Sequence, residues 1–562
     1  MLLKIFDSRR LPVTLLILFY LATYILPLGS RQMIRPDEFR YAEIPREMLA
    51  SGNWITPKLV DVRYFEKPAL GYQLTALSFK YFGENAFALR LPSALAVGIT
   101  ALLLFRLLKT NSSDPRLPAL ATGIYLLCGL VYGVGTFAVL DSQLTAALTL
   151  TIGFFYFAWS ARTRLATAAW LAAAGAATGA AFLLKGLLAF AVPTVVIVPF
   201  LLWQKEWKKI FVYPWLPFAA ALLVALPWAL AIHHQEPDFW RYFIEEEHFN
   251  RFTGNTYDRD PEPFWYFIPV LLGGMLPAGL YCTAAWMGWK RELFRRPLYR
   301  FLLCWAVLPF LLFSASSCKL GTYILPCFPP LAALIAAGTL EAFRLRPGSA
   351  RKILDITFKS LGLLLAALAV IATVGLIVWR FIPALPELYG KWNLFPYLTL
   401  LALLAWGVAL IRSRRWTAPV QSAVFLFGMA PAIVFGLNAV PDIALGDKAT
   451  AVGIRQCLEE IPVRRGDIIL VDRGTLQATA WLLKRTDLVL IGKPGELQYG
   501  LNNYPEYASR WYKEEETDKL LSASHPGSRL FITLRNLKKK PLPPDWAAEQ
   551  VVTRNGISVI RF

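Results

Sequence analysis

The sequence predicts a polytopic α-helical membrane protein that ends in a small α/β domain. Of its 562 residues, 56% are hydrophobic and only 17% are charged, and the mean hydropathy is +0.46. This composition is typical of a chain that crosses a membrane repeatedly, and it excludes a large soluble enzyme. Apolar segments recur through the first part of the chain, and from Pro441 the composition becomes that of an ordinary soluble domain.

A helix that crosses a membrane needs about 20 mostly apolar residues, and by this rule we predict about thirteen crossings. They lie near residues 11–29, 86–108, 117–139, 142–161, 165–184, 187–203, 211–232, 263–287, 298–314, 323–340, 356–380, 395–411 and 417–437. The first segment has a basic start and an apolar run but no small-residue cleavage site followed by a soluble domain. We therefore interpret it as a retained span and not as a removed signal peptide.

Basic residues mark every second loop. They cluster before the first predicted span and after the second, fourth, sixth, eighth, tenth and twelfth, for example at Lys205, Lys208 and Lys209. Short cytoplasmic loops carry this excess, so we predict a multi-pass membrane protein with a cytoplasmic N-terminus. Because the basic residues behind the net charge of +20 lie in such loops, nucleic acid is not the expected partner. The six cysteines show no paired spacing that would indicate disulfides or a metal site.

The opposite, non-cytoplasmic face would then hold the loop 30–85 and the whole C-terminal region. We predict a membrane domain at 1–440, which includes the loop 30–85, and an α/β domain outside the cytoplasm at 441–562. Within the second domain, strands are predicted at 467–472, 487–492, 529–534 and 557–562, and helices at 475–484 and 506–521. The domain has no nucleotide-binding glycine fingerprint.

The loop 30–85 carries the densest chemistry of the chain. Its charged and aromatic side chains are Asp37, Glu38, Arg40, Tyr41, Glu43, Arg46, Glu47, Tyr64, Glu66 and Lys67. In a helix, spacings of three and four place Arg40 and Tyr41 on the same face as Asp37. A solvated amphipathic helix on the membrane surface is the alternative. Further isolated charges at the same predicted face favour a functional site.

An enzyme outside the cytoplasm has little access to nucleotide sugars, so we expect a sugar donor carried on a lipid phosphate. Such chemistry needs cations that hold the departing phosphate. It also needs carboxylates that orient the acceptor, accept its proton or stabilise positive charge on the sugar carbon. We predict Asp37 and Asp141 as the catalytic carboxylates. Candidates that bind the donor phosphate or the substrate are Lys67, Glu66, Arg40, Tyr41, Lys185, Arg251 and Lys319.

Simpler interpretations stay open for several of these residues. Lys67 and Lys185 lie beside apolar sequence, where a lysine often only extends its ammonium group to the membrane surface. Asp141 precedes an apolar run and is equally a helix cap. Glu66 and His248 are suitable ligands for a divalent metal such as zinc, but single dispersed residues are a weak metal signal. We therefore predict that no cofactor is required.

Long motifs of this sequence resemble one enzyme family. They are RPDEFRYAEIPREMLASGNWITPKL, RYFEKPALGYQLTALSFKYFG, YGVGTFAVLDSQL, LLKGLLAFAVP, EPDFWRYFIEEEHFNRF, PFWYFIPVLLGGMLP, KLGTYILPCFPPLA and PGELQYGLNNYPE. These stretches are similar to bacterial 4-amino-4-deoxy-L-arabinose transferases that modify lipid A. Those enzymes belong, with the protein O-mannosyltransferases, to the GT-C glycosyltransferase superfamily. The resemblance spans nearly the whole chain.

The resemblance implies a thirteen-helix GT-C domain in the bacterial inner membrane, with the active site and the α/β domain 441–562 in the periplasm. It implies undecaprenyl phosphate carrying the aminosugar as donor and a phosphate of lipid A as acceptor. The added amine would reduce the negative charge of the outer leaflet and so weaken the binding of cationic peptides such as polymyxin. By motif, the family's site residues match Asp37, Glu66, Lys67, Asp141, Arg251 and Tyr323, with Lys67 placed against the carrier phosphate.

Three positions depart from the family pattern: Gly321 and Ser142 stand where proline is usual, and Gln73 where tryptophan is usual. They leave room for a related sugar or acceptor. An acceptor phosphate is already nucleophilic near neutral pH, so we predict a single displacement with inversion, in which Asp37 positions or stabilises more than it abstracts a proton. One alternative is a related GT-C enzyme that moves another sugar from a polyprenyl phosphate to a protein, lipid or glycan. A transporter or flippase is disfavoured by the one-sided charges and the lack of an internal repeat.

Overall fold

The computed structural model describes residues 11–250, 261–382, 388, 393–441, 445–516, 528–534, 537 and 548–562. The chain divides into two compact units. The first unit comprises Met1–Ser30, Arg90–Ala231 and Trp240–Ala439, and the second comprises Arg31–Leu89, Ile232–Phe239 and Val440–Phe562. None of the six cysteines, all of which lie in the described part, forms a disulfide.

Nine helices within the described ranges are long and apolar enough to cross a membrane. They are Leu11–Gly29, Ala86–Asn111, Arg164–Lys185, Lys209–Gln235, Pro297–Ala315, Gly321–Leu345, Pro347–Arg380, Phe395–Arg415 and Ala418–Leu437. Each coincides with a predicted span, which confirms a multi-pass helical membrane protein. Shorter helical segments lie at Phe239–Ile244, Glu245–Asn250 and Leu293–Arg295.

The other four predicted spans are helical but do not meet the same criteria of length and hydropathy. The segment predicted at 142–161 is the helix Asp141–Ser160, and that at 187–203 is Leu188–Trp203, which has 16 residues. The remaining two are interrupted. The span predicted at 117–139 consists of Leu117–Leu127 and Gly129–Gly135. The span predicted at 263–287 consists of Phe264–Tyr266, Phe267–Gly274, Ala278–Tyr281 and Cys282–Gly288. The number of thirteen crossings therefore stays a prediction.

The two interrupted helices meet at their breaks. Cys128 has an extended backbone between its two helical pieces, and the next residue, Gly129, donates its N–H to the carbonyl oxygen of Leu276 at 2.8 Å. A Cβ atom on Gly129 would lie 2.9 Å from that same oxygen. Non-helical backbone inside a membrane protein is tolerated where protein groups satisfy it. This contact explains why glycine stands at the break.

Aromatic packing and small residues hold the first unit together. The rings of Tyr156, Phe200 and Phe301 contact one another, with centroids 4.7 Å apart for Tyr156 and Phe301 and 5.0 Å apart for Phe200 and Phe301. Elsewhere Gly362 and Gly407 face each other, and a Cβ on either would lie 2.6–2.7 Å from the carbonyl oxygen of the other. Small residues of this kind let the backbones of membrane helices approach closely.

The first part of the second unit consists of two helices and a hairpin. The helix Asp37–Ser51 ends at Gly52, whose φ of 70° suits a glycine at a helix C-terminus. Strands β1 (Lys58–Leu59) and β2 (Val62–Arg63) form an antiparallel hairpin, and the helix Leu70–Phe82 follows. The helical interpretation of the Asp37 region is confirmed, but the amphipathic alternative is wrong, because most side chains of this helix are buried.

The rest of the second unit contains a six-stranded sheet flanked by helices. Its strands are β3 (Ile468–Asp472), β4 (Val489–Ile491), β5 (Trp511–Tyr512), β6 (Arg529–Thr533), β7 (Gln550–Arg554) and β8 (Ile557–Arg561). The strand order is β5-β4-β3-β6-β8-β7. The pairs β5–β4, β4–β3 and β3–β6 are parallel, and the pairs β6–β8 and β8–β7 are antiparallel. The described helices of this part are Thr450–Glu460, Leu476–Leu483 and Gln498–Asn503. Leu470, Ile491, Phe531 and Ile560 form the core of the sheet.

Most predicted elements of this α/β part are confirmed, and one is wrong. All four predicted strands are present, and the helix predicted at 475–484 is Leu476–Leu483. The described part of the helix predicted at 506–521 instead contains the short turns Pro505–Tyr507 and Glu514–Glu516 around β5. Trp511 and Tyr512 are residues that favour strands, and they pair with β4.

The structure divides the chain differently from the predicted boundary at residue 440. Residues 31–89 belong to the same compact unit as the C-terminal region, because apolar and ionic contacts join the two. Phe79 packs against Trp481 with ring centroids 5.6 Å apart. Arg63 pairs with Glu506 at 2.5 Å, and Arg510 donates to the carbonyl oxygen of Val60 at 3.1 Å.

Candidate functional site

Arg40 connects two carboxylates in the second unit. It lies one turn into the helix that begins at Asp37, so that its Nη2 donates to Asp37 Oδ1. Its Nη1 donates to Glu496 Oε2, and Gln477 donates to the other oxygen of Glu496 at 2.9 Å. The Asp37 side chain is 38% exposed, whereas those of Arg40 and Glu496 are 12% and 14% exposed. A mostly buried guanidinium thus holds one oxygen of a partly open carboxylate.

Burial and charge act in opposite directions on this cluster. Burial by itself would lower the pKa of Arg40, but Glu496 and the other neighbouring groups raise that pKa well above its ordinary value. Burial also raises the pKa of Glu496, an effect that Arg40 opposes and Glu66 reinforces. Arg40 is therefore a permanent cation between two acids, one of which is costly to ionise.

Two buried polar atoms beside Arg40 lack a hydrogen-bond partner among the residues that the structure describes. They are Arg40 Nε and the hydroxyl of Tyr72. Tyr72 stacks on Tyr41 with ring centroids 5.7 Å apart, and the Arg40 guanidinium lies 5.2 Å from the Tyr41 ring. Because buried polar groups in proteins nearly always have a partner, these two donors are suited to bind oxygen atoms of a ligand.

Lys67 and Glu66 lie near the same cluster. Lys67 Nζ donates to the backbone oxygen of Glu66 at 2.7 Å and lies 4.0 Å from its carboxylate. The two side chains are 11% and 12% exposed. The structure therefore contradicts the interpretation of Lys67 as a lysine that only extends into solvent at a membrane surface. Because Glu66 helps to raise the pKa of Glu496, Glu66 lies within electrostatic reach of Glu496.

The other acids of the helix Asp37–Ser51 are structural. Arg46 donates to both oxygens of the buried Glu43, at 2.8 and 2.5 Å. Glu47 accepts the backbone N–H groups of Val60 at 2.6 Å and Asp61 at 2.7 Å. Burial and the nearby Glu43 raise the pKa of Glu47, although the two N–H groups oppose this. These contacts fix the hairpin to the helix that carries Asp37.

Asp141 and Lys185 form a second site, in the first unit. Lys185, at the end of the helix Arg164–Lys185, donates to Asp141 Oδ1 at 2.7 Å, and both side chains are 12% exposed. The Lys185 ammonium also lies 4.6 Å from the ring centroid of Tyr323. Asp141 is the first residue of its helix, and the structure contradicts its interpretation as a cap because the capping position is Leu140. Lys185 is mostly buried and paired with Asp141. The interpretation that it only extends its ammonium group to the membrane surface is therefore wrong.

Lys319, which was predicted to bind substrate, contacts the protein backbone in the structure. It is 6% exposed, and its Nζ donates to the backbone oxygens of Glu262 at 2.8 Å and Ser316 at 2.5 Å. These bonds hold two segments of the first unit together. The geometry favours a structural role for Lys319, and its predicted part in binding substrate has no support from these contacts.

Two predicted residues lie outside what the structure describes. Arg251 falls in the undescribed segment 251–260, and only the backbone of His248 is described, in the helical segment Glu245–Asn250. Within the described residues there is no group of three or more His, Cys, Asp or Glu side chains arranged to hold a metal ion. The suggested zinc ligands Glu66 and His248 therefore stay untested.

Sequence reasoning missed Glu496 and Gln477 as members of the Arg40 cluster. Both are more than 430 positions away from Arg40 in the sequence, Glu496 by 456 positions, so no local spacing connects them. The only sequence signal was that PGELQYGLNNYPE, which contains Glu496, resembles a family motif. That motif suggested importance without suggesting a role.

Family models and relatives match this chain over most of its length. Residues 11–243 match the family model described as dolichyl-phosphate-mannose-protein mannosyltransferase, and residues 447–560 match that of the arabinosyl transferase ArnT, C-terminal domain. Two relatives are undecaprenyl phosphate-alpha-4-amino-4-deoxy-L-arabinose arabinosyl transferases. The one from Edwardsiella ictaluri is 38% identical over 97% of this chain and 97% of its own length. The one from Proteus mirabilis is 33% identical over 99% of this chain and 98% of its own.

A solved structure has the same fold. ArnT from Cupriavidus metallidurans, solved bound to undecaprenyl phosphate, is 24% identical to this chain. It superposes with a TM-score of 0.75 and covers 98% of this chain and 97% of its own length. The predicted GT-C fold is thereby confirmed. Together with the two relatives, this shows that the chain belongs to the family of undecaprenyl phosphate-alpha-4-amino-4-deoxy-L-arabinose arabinosyl transferases.

Proposed function

We propose that this chain transfers 4-amino-4-deoxy-L-arabinose from undecaprenyl phosphate to a phosphate group of lipid A. Membership in the arabinosyl transferase family supports the donor, the sugar and the class of reaction. The observation that carries the assignment of the site is the Arg40 cluster. There a partly exposed carboxylate lies beside two buried donors that have no partner among the described residues.

The reaction is a single displacement at the anomeric carbon. An oxygen of the acceptor phosphate forms a bond to this carbon, and the bond from the carbon to the carrier phosphate oxygen breaks. The electron pair of the broken bond stays on undecaprenyl phosphate, and the anomeric configuration inverts. The acceptor phosphate is already ionised near neutral pH, so no strong base is needed.

Asp37 orients the sugar or the acceptor and stabilises the positive charge that develops on the anomeric carbon. Lys67 and Arg40 bind phosphate oxygens and stabilise the negative charge that the leaving phosphate gains in the transition state. Glu66 orients Lys67, while Tyr41 and Tyr72 form an aromatic surface beside the site. Lys185, in the first unit, is a further cation for the lipid-linked substrate, with Asp141 and Tyr323 as its orienting partners.

Metal is not required in this proposal, because Arg40, Lys67 and Lys185 supply the positive charge. Incubation of the purified chain with a zinc and magnesium chelator should leave turnover unchanged, and addition of either metal should not raise it. A loss of turnover that zinc or magnesium restores would contradict this part of the proposal.

The proposed location is the bacterial inner membrane, with the N-terminus in the cytoplasm and the reacting residues in the periplasm. The basic loops after alternate spans support this orientation. Because the new amine offsets negative charge on lipid A, the expected consequence is resistance to polymyxin and other cationic peptides.

The test is expression in a polymyxin-sensitive Gram-negative strain that makes the aminoarabinose carrier lipid but lacks its own transferase. Mass spectrometry of lipid A should find the mass increment of one or two aminopentoses, and polymyxin resistance should rise. The empty vector is the control. Unmodified lipid A in cells with correctly inserted chain would contradict the proposal and direct the search to other polyprenyl-linked sugars and acceptors.

A further inference from the structure

The α/β part of the second unit supplies an acid to the predicted catalytic cluster. Glu496 lies in the short turn Gly495–Leu497 and accepts one arm of the Arg40 guanidinium. The other arm of Arg40 binds Asp37 Oδ1. Asp37 Oδ2 has no hydrogen-bond partner among the described residues, so one oxygen of this carboxylate is held and the other is available.

Glu496 is itself held firmly. Gln477, which is 5% exposed on the helix Leu476–Leu483, donates to Glu496 Oε1 at 2.9 Å. The adjacent Gly495 has a φ of 56°, a backbone conformation that residues other than glycine rarely adopt. A Cβ at Gly495 would lie 2.4 Å from Arg473 Nε. The Glu496 carboxylate is therefore held at both oxygens, by Gln477 and by Arg40, and glycine suits the backbone of this turn.

We propose that Glu496 is a positioning residue for the transfer reaction, acting through Arg40 on Asp37. The inference rests on the proposed function, because it assumes that Asp37 acts in sugar transfer. By accepting from Nη1 of Arg40, Glu496 fixes the direction of the guanidinium whose Nη2 donates to Asp37 Oδ1. The partly exposed carboxylate of Asp37 is thereby held at one oxygen in a single orientation toward the sugar or the acceptor.

The physical reason lies in how arginine pairs with carboxylates. Hydrogen bonds between arginine and a carboxylate are charge-assisted and fix the geometry of both groups. Without the bond to Glu496, the Arg40 guanidinium would be free to turn, and its bond to Asp37 would no longer be held in one direction. With Glu496 ionised, two carboxylates share one guanidinium, and the cluster of Asp37, Arg40 and Glu496 keeps a net negative charge. Such a charge favours a sugar carbon that becomes positive in the transition state.

This role gives the α/β part a direct function in turnover beyond its contribution to the fold. Glu496 acts on orientation, so its loss should slow the reaction more than it weakens binding of the donor. In the purified full-length chain, Glu496→Gln should lower kcat about 10- to 100-fold, the size expected when a catalytic group is misplaced. The KM for the donor lipid should change by less than about twofold.

Two further variants grade the effect and guard against misfolding. Glu496→Asp keeps the charge and should retain more activity than Glu496→Gln. Gln477→Ala leaves Glu496 in place but removes the bond that orients it, so it should lower kcat by a smaller factor and is informative even if Glu496→Gln fails to fold. Glu506→Gln is the matched control, because Glu506 is a 51% exposed acid of the same unit that pairs with Arg63.

The double variant Arg40→Gln/Glu496→Gln separates positioning from a merely structural role. If Glu496 acts through Arg40, the double variant should be no slower than Arg40→Gln alone. Additive losses would overturn the inference, and so would wild-type kcat in both Glu496→Gln and Gln477→Ala. A wild-type chain that is inserted and folded but transfers no aminoarabinose would instead refute the proposed function, and the positioning role with it.

Discussion

Asp37 and Asp141, the two carboxylates predicted to act in catalysis, are held in different ways. Asp141 pairs with Lys185 at 2.7 Å, one acid to one cation, and both side chains are 12% exposed. Asp37 is 38% exposed and shares Arg40 with Glu496, so two acids compete for one cation. The charge of Asp141 is thus already compensated, whereas that of Asp37 is only partly compensated.

This difference separates a reacting carboxylate from a supporting one. A group that must meet a sugar carbon needs solvent exposure and a charge that is not fully compensated, and Asp37 has both. A mostly buried one-to-one ion pair, as at Asp141, is better suited to hold a lysine in a fixed direction. We therefore assign the central role to Asp37 and an orienting role to Asp141.

The largest stability effect should come from breaking the pair of Asp141 and Lys185. Asp141→Asn or Lys185→Met alone should lower the free energy of unfolding by about 3 kcal/mol, because each leaves a mostly buried charge without its partner. The double variant should be closer to wild type than either single variant. Thermal unfolding in detergent, followed by tryptophan fluorescence, measures this.

The control pair is Lys58 and Asp61, which are 35% and 50% exposed at 2.8 Å. Breaking it should cost less than about 1 kcal/mol. If the losses from Asp141→Asn and Lys185→Met add in the double variant, the two residues are not coupled. The assignment of Asp141 as the residue that orients Lys185 would then be wrong.

An intermediate effect is expected for Lys67 on binding of the donor. Loss of a charged hydrogen bond costs about 1.5–3 kcal/mol, so Lys67→Ala should raise the KM for the lipid-linked sugar at least about tenfold. Lys58→Ala, in the same unit, should leave the KM unchanged. If Lys67→Ala has a normal KM while Lys185→Met raises it, the donor phosphate is bound by the Asp141 site instead.

The smallest effect should be a pH dependence of stability at Glu47, in the helix that carries Asp37. Burial and Glu43 raise the pKa of Glu47, so its contribution to stability is present at low pH and is lost as pH rises through the raised pKa. Glu47→Gln removes this loss. The melting temperature of Glu47→Gln should therefore improve relative to wild type as pH rises from about 4.5.

Glu506→Gln provides a comparison of opposite sign. Its own backbone N–H and Arg63 lower the pKa of Glu506, so its contribution is present at higher pH and is lost as pH falls. This variant should lose stability relative to wild type as pH rises. If the stability difference from wild type changed with pH in the same direction for both variants, the assigned directions of the two pKa shifts would be wrong.

The fold could be predicted largely from the sequence because its signals are local. Hydropathy identified all nine described helices that are long and apolar enough to cross a membrane. Short β-branched runs such as 468–472 identified four of the six described strands of the sheet. Two features were not predictable in this way. The breaks at Cys128 and before Ala278 depend on the contact between Gly129 and Leu276, which are far apart in the sequence. The strand Trp511–Tyr512 is defined by its pairing with β4.

The site was predicted only where its residues are neighbours in sequence. The pairing of Asp37 with Arg40 follows from helical spacing, and Glu66 with Lys67 from adjacency. The pairing of Asp141 with Lys185 depends on how two helices pack, and sequence spacing alone left both residues with simpler interpretations. Glu496 reaches Arg40 only because residues 31–89 fold together with the C-terminal region, which the predicted domain boundary did not anticipate.

The most direct test of the account compares Asp37→Asn with Asp141→Asn in purified chain reconstituted with donor lipid and lipid A. Asp61→Asn, an exposed acid of the same loop, is the control. We predict that Asp37→Asn folds normally and lowers kcat at least about 100-fold, the size expected for loss of transition-state electrostatics. Asp141→Asn should retain more turnover and lose more stability. Normal turnover in Asp37→Asn, or a loss confined to Asp141→Asn, would contradict the placement of the reacting carboxylate at Asp37.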